Sequence, residues 1–206
     1  MDYKELLTAL QRHNFVIFSY RDLRVFFPRE SLSAVRKELY RWNKKGWIRT
    51  LKNGIYEPVL LANSTYPDFY LANRLYSPSY VSLEAALSYY SIIPEVSMAV
   101  TSVSTKPTRS FKNEHGLFIY RTIRPRAFTG YYIEKMGGID VLIAEPEKAL
   151  VDFLYFKRRE GEALDFEQER FDRAKLTRMS KKKLKLYAGL FNLDLRSLYA
   201  YSGSTA

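Results

Sequence analysis

Cysteine is missing from all 206 residues, and histidine occurs only twice, as His13 and His115. The first absence removes disulfides, thiol catalysis and thiolate-bound zinc or iron–sulfur centres. The second leaves little for other metal chemistry, because the two imidazoles are isolated in sequence with no spacing that suggests a metal pair or a triad. No stretch approaches the roughly 18 consecutive apolar residues of a membrane span. The opening Met1-Asp2-Tyr3-Lys4-Glu5 alternates charge instead of leading into an apolar signal core. Glycine (9) and proline (8) are too sparse for collagen-like or low-complexity chains, and 47% hydrophobic content rules out wholesale disorder. These absences predict a cytoplasmic, globular protein that spans no membrane and calls for no metal and no cofactor.

Charge is abundant and unevenly placed. The net charge of +11 divides into +6 over residues 1–60, zero over 61–155 and +5 over 156–206. A neutral middle between two basic ends predicts two separate surfaces for a polyanion. The plainer alternative is lysine used for solubility.

The first sixty residues read as three helices and a hairpin. Leu6, Leu7 and Leu10 form one stripe of a helix from Asp2 to Arg12. Phe15-Val16-Ile17-Phe18 is extended and leads to Ser19, an N-cap for a short helix through Leu23 and Phe26 that Pro28 ends. A third helix runs from Glu30 to Lys45 and stops at Gly46. Lys52-Asn53-Gly54 joins two β-prone runs, and Asn-Gly there predicts a type I′ hairpin turn. Three helices followed by a hairpin is the order of a winged helix-turn-helix. A boundary is expected near Leu61-Ala62-Asn63-Ser64-Thr65, dividing the chain into residues 1–62 and 63–206.

Beyond it the pattern is α+β. Helices are expected over Tyr66–Leu75, from a Ser82 cap to Tyr90, and from Pro146 to Arg158. Strands are expected over Met98–Ser104, His115–Arg124, Ala127–Lys135 and Ile139–Ile143. The strands follow one another without βαβ alternation, which predicts a mixed or antiparallel sheet. From about residue 160 the chain reads as a helical basic tail, with Ser180 capping Lys181–Leu190.

Leu32, Val35, Leu39 and Trp42 fall on one apolar stripe of the third helix. Opposite lie Ser33, Lys37, Tyr40, Arg41 and Lys44, with Arg29 and Arg36 toward one flank. Cations for phosphates and donors for base edges are what a helix entering the major groove of double-stranded DNA needs. Arg49, Lys52 and Asn53 add donors on the hairpin. The competing reading is a solvated helix face in a protein–protein adaptor. A second cluster, Arg173, Lys175, Arg178, Lys181, Lys182, Lys183 and Lys185, has no acid within it and follows six acids between Glu160 and Asp172. It reads equally as a second nucleic-acid contact or as a solvated, charge-paired face.

Catalytic readings fare worse. Asp140, Glu145, Glu147 and Lys148 invite comparison with carboxylate-plus-lysine metal-dependent nucleases, but Pro146 stands where that motif needs an acid two residues before the lysine. The carboxylates fit the favourable field at a helix start. No enzyme is expected.

The winged-helix-like start, Tyr80-Val81-Ser82-Leu83-Glu84-Ala85-Ala86-Leu87-Ser88-Tyr89-Tyr90 with Ile93-Pro94-Glu95, Thr101-Ser102-Val103-Ser104, Arg109-Ser110-Phe111, and Ile143-Ala144-Glu145-Pro146-Glu147-Lys148-Ala149-Leu150 resemble the AbiEi-type antitoxins of type IV toxin–antitoxin, or abortive-infection, systems. The resemblance spans about residues 1–155. It implies a transcriptional regulator that represses its own operon and a C-terminal domain that opposes a nucleotidyltransferase-like toxin without a stable complex. Because one such module has a small footprint, binding to operator DNA as inverted repeats is expected. Other classes carried forward are a phage-defence adaptor and a metal-dependent nuclease.

Overall fold

Reciprocal capping starts the chain: Asp2 accepts from the Glu5 amide at 2.8 Å and Glu5 accepts from the Asp2 amide at 2.6 Å, opening helix α1, Tyr3–Arg12. The computed structural model describes residues 1–13, 15–61, 66–94, 98–161 and 165–203. Ala62-Asn63-Ser64-Thr65, where the sequence places a boundary, and Glu95 of the Ile93-Pro94-Glu95 motif lie outside the described residues. The chain is α+β, with N-terminal helices followed by sheets, and divides into two compact units, residues 1–67 and 68–206.

In the first unit strand β1 (Phe18–Ser19) runs into α2 (Tyr20–Phe26), where Ser19 and Asp22 repeat the reciprocal cap. Helix α3 spans Leu32–Lys44, with the Ser31 hydroxyl accepting from the Ala34 amide and Gly46 turning the chain at φ 68°. Strands β2 (Ile48–Lys52) and β3 (Ile55–Pro58) form a hairpin that β1 joins, in the antiparallel order β1-β3-β2. Leu6, Leu10, Phe18, Leu23, Val35, Leu39, Trp42 and Ile48 make one core.

Two local expectations are corrected. Only Gly54 in the hairpin turn has positive φ (81°), so the turn is not type I′; instead Thr50 faces Tyr56 and Lys52 faces Ile55, leaving Leu51 as an extra residue. Leu51, at the bulge, is buried but is not part of the core that holds Ile48. Leu32 is not part of the buried stripe: it is 48% exposed. As the first residue of α3 it leans toward the helix start, past the core that Val35, Leu39 and Trp42 enter.

The second unit holds a six-stranded mixed sheet in the order β6-β7-β5-β4-β9-β8. Its strands are β4 (Ser79–Val81), β5 (Ala99–Ser104), β6 (Arg109–Asn113), β7 (Gly116–Thr122), β8 (Tyr131–Met136) and β9 (Ile139–Ala144). The β4–β9 and β5–β7 pairs are parallel and the rest antiparallel. Helices α4 (Asp68–Leu75), α5 (Leu83–Tyr89) and α6 (Pro146–Arg159) cover it. The row Val81–Ser102–Tyr120 faces α4, since the Tyr120 hydroxyl donates to the Ala72 carbonyl at 2.7 Å. The adjacent row Tyr80–Val103–Arg121 faces α6, where Tyr80 reaches Asp152 and Arg121 pairs with Glu160.

Two strands escape the sequence patterns. Strand β4 has only three residues, and edge strand β6 is mostly polar and exposed, so neither shows an apolar period. Ser82 precedes α5 as expected but makes no capping bond; its hydroxyl donates to Asp152 instead, at 2.9 Å. The tail forms α7 (Arg173–Arg178), α8 (Lys181–Gly189) and α9 (Arg196–Ser202). It folds onto α6: Arg158 donates to the carbonyls of Asn192 and Phe191 at 2.8 and 3.0 Å, and Tyr155 stacks on Phe191. No helix among the described residues is long and apolar enough to cross a membrane.

Candidate nucleic-acid interface

Burial of Val35, Leu39 and Trp42 rotates the rest of α3 outward. Ser33, Arg36, Lys37, Tyr40, Arg41 and Lys44 are all exposed on this helix, and Arg29 is exposed in the turn before it. Intramolecular contacts distinguish them. Arg41 is held by Glu38 at 2.8 Å, and the Lys44 ammonium lies over the Tyr40 ring, 5.2 Å from its centroid. Ser33 lies 3.1 Å from the Ser31 hydroxyl. Arg36 sits 5.8 Å from the Tyr20 centroid, while the Tyr20 hydroxyl donates to the Leu32 carbonyl at 2.8 Å. Tyr20 therefore fixes both the start of α3 and one of its cations.

A groove of about 440 Å³ runs between α3 and the β2–β3 hairpin, lined by Arg36, Tyr40, Asn43, Lys44, Thr50 and Tyr56 among others. Asn43 donates to the Thr50 hydroxyl across it at 2.5 Å. Burial, with Tyr20 adding to it, raises the Tyr56 hydroxyl above its ordinary value against the pull of Arg36, so it remains a neutral donor at neutral pH. Tyr20, Asn43, Thr50 and Tyr56 belong to this surface but were missed in the sequence, because only the helix–hairpin juxtaposition brings them to it.

On the hairpin, Asn53 is exposed at the turn and Lys52 is half-buried. Arg49 points to Glu57, 3.4 Å away, whose carboxylate is wholly buried and also accepts from Tyr66 at 3.1 Å. A buried carboxylate needs such a partner, so Arg49 serves the interior of this unit.

The second cluster is dispersed by pairing. Arg173 pairs with Glu167 and lies over the Tyr201 ring. Lys175 donates to the Tyr90 carbonyl at 2.8 Å, and Lys183 meets Glu145 at 3.0 Å. Arg178, Lys181, Lys182 and Lys185 are exposed.

The carboxylates weighed as a nuclease centre are also separated. Asp140 pairs with Lys135 at 2.5 Å, and Glu147 accepts the Ser180 amide at 2.9 Å. The Glu145 carboxylate takes the Tyr187 hydroxyl at 2.7 Å. Lys148 is wholly buried and donates to Asp152, one turn along α6. Among the described residues no three His, Asp or Glu side chains come together as a metal cluster. No protein-family model matches the chain, and no curated protein matches it significantly.

Proposed function

We propose that the chain is a DNA-binding transcriptional regulator whose first unit is a winged helix-turn-helix, with α3 in the major groove and the β2–β3 hairpin as the wing. The observation that carries this reading is the face of α3: Arg36, Lys37, Tyr40, Arg41 and Lys44 are exposed together, opposite a buried stripe. The order helix, strand, two helices, hairpin and the sheet order β1-β3-β2 support the wing. Lys37, Arg36 and Lys44 are the phosphate-binding cations, and the first turn of α3 is the part nearest the base edges.

On this reading and the sequence resemblance, the protein represses its own operon as an antitoxin opposed to a nucleotidyltransferase-like toxin, and does so without catalysis. The test is a titration of the full chain against its own upstream DNA and against random DNA at several salt concentrations. Specific binding is expected at least about a thousandfold above random sequence, with affinity falling steeply in salt. Equal, salt-independent affinities would remove the DNA reading and favour the adaptor.

A further inference from the structure

The groove between α3 and the β2–β3 hairpin has an unused capacity for an anion. Its walls carry two cations, Arg36 and Lys44, and no carboxylate. Several of its polar groups already serve each other: Asn43 donates to the Thr50 hydroxyl, and the Lys44 ammonium lies over the Tyr40 ring. Arg36 and Tyr56 are different. The guanidinium lies over the Tyr20 ring, and none of its N–H groups meets an acceptor among the described residues. The Tyr56 ring stacks on the buried Phe18, with 5.7 Å between centroids, and this contact fixes its direction. Its hydroxyl oxygen takes up the Gly54 amide and lies in the field of Arg36, yet its proton has no acceptor among the described residues. A charged fork and a neutral O–H thus line one groove with their donors unspent.

We propose that this groove seats one sugar-phosphate strand of a DNA duplex, with the Arg36 guanidinium and the Tyr56 hydroxyl bound to the same phosphate. The inference rests on the reading of α3 as a major-groove helix. A helix in that groove is flanked by the phosphate strands that border it, and a hairpin beside the helix closes on one of them. At about 440 Å³ the groove encloses a short piece of one strand and not a duplex. Arg36 supplies charge and Tyr56 supplies direction. Because the Tyr56 ring is packed before DNA arrives, its O–H is aimed in advance and loses little freedom on binding.

The experiment titrates the full chain against a duplex of its own upstream DNA in which single phosphates are replaced in turn by uncharged methylphosphonates. One replacement is expected to weaken wild-type binding about tenfold or more, the worth of hydrogen bonds to a charged group. Arg36→Ala and Tyr56→Phe should each remove most of that penalty, while Lys37→Ala should leave it in place. Tyr56→Phe should itself weaken binding about tenfold at an unchanged salt slope, since a neutral donor displaces no counterion. Arg36→Ala should lower the slope by roughly one. Tyr56→Phe binding as tightly as the wild type, or a methylphosphonate penalty that persists in Arg36→Ala or in Tyr56→Phe, overturns the shared phosphate and leaves the α3 reading standing. A wild-type chain that binds no DNA removes both. If Tyr56→Phe melts well below the wild type, Arg36→Ala, on an exposed helix face, decides the matter by the same penalty.

Discussion

Lys148 donates to the carboxylate of Asp152 one turn further along α6, and neither side chain is exposed at all. The other carboxylate oxygen accepts from Tyr80 at 3.1 Å and from Ser82 at 2.9 Å, tying β4 and the start of α5 to α6. Burial raises the Asp152 carboxyl and lowers the Lys148 ammonium from their ordinary values, while each charge offsets the shift of the other.

Removing one partner should therefore cost more than removing both. Lys148→Met is expected to destabilise by about 3–5 kcal/mol, because Asp152 is left buried without a cation. Lys148→Met with Asp152→Leu should recover a large part of that. In the single variant Asp152 folds protonated, its folded pKa above the unfolded one, so stability should grow as pH falls toward the carboxylate range. Urea unfolding of the three proteins across pH checks this. A single variant no worse than the double would show that the charges are not coupled.

Glu145 offers the opposite sign. Burial would raise its carboxyl, but the Tyr187 hydroxyl and Lys183 outweigh that and hold it below the ordinary carboxylate value. A depressed folded pKa contributes stability that is present above the unfolded value and lost as pH falls through the folded one. Tyr187→Phe should lower stability by about 1.5–3 kcal/mol at neutral pH and flatten its decline in acid. Thermal melts at pH 7 and pH 3 measure both, and an acid decline as steep as the wild type's would rule out the role of Tyr187.

On α3, Lys37→Ala should leave the fold intact, weaken binding to all DNA sequences about equally and reduce the salt slope by roughly one. Arg41→Ala should act in the same direction with a smaller loss, since Glu38 already competes for the guanidinium. Trp42→Ala, by contrast, opens the core and should cost about 3–5 kcal/mol. Unchanged DNA affinity in Lys37→Ala would show that the binding face lies elsewhere.

Leu32 yields a prediction about specificity. It is exposed at the first residue of α3, with its carbonyl held by Tyr20. Apolar side chains at that point of a groove-bound helix read the thymine methyl group. Leu32→Ala should cost under about 0.5 kcal/mol in stability, as for other surface sites. It should also abolish the penalty for replacing thymine by deoxyuridine in the bound sequence. A variant that still discriminates the two bases would assign the contact to another residue.

The tail should add attraction without specificity. Lys181, Lys182 and Lys185 together changed to Gln are expected to lower affinity for operator and random DNA by similar factors and to make the salt slope shallower. Lys183 is left in place because its bond to Glu145 is structural. A salt slope identical to that of the wild type would mean that the tail stays off the DNA.

Elements built on bonds three or four residues apart were legible before any folding was considered. The caps at Ser19 and Ser180 close on amides three residues ahead, and the Val35–Leu39–Trp42 stripe repeats with the helical period. Their physics is local, so the residue order specifies them. The α3 cations were legible for the same reason, since a buried stripe dictates what lies opposite. Long-range partners were not. Ser82 turns from capping α5 to a carboxylate 70 residues away, Arg49 is drawn to Glu57 across the hairpin, and Lys183 to Glu145 across two helices. Strands β4 and β6 exist because neighbouring strands satisfy their amides, and their own side chains show no period. Whether a cation faces solvent or a buried carboxylate is decided by what packing leaves uncompensated, and that is known only once the chain has closed on itself.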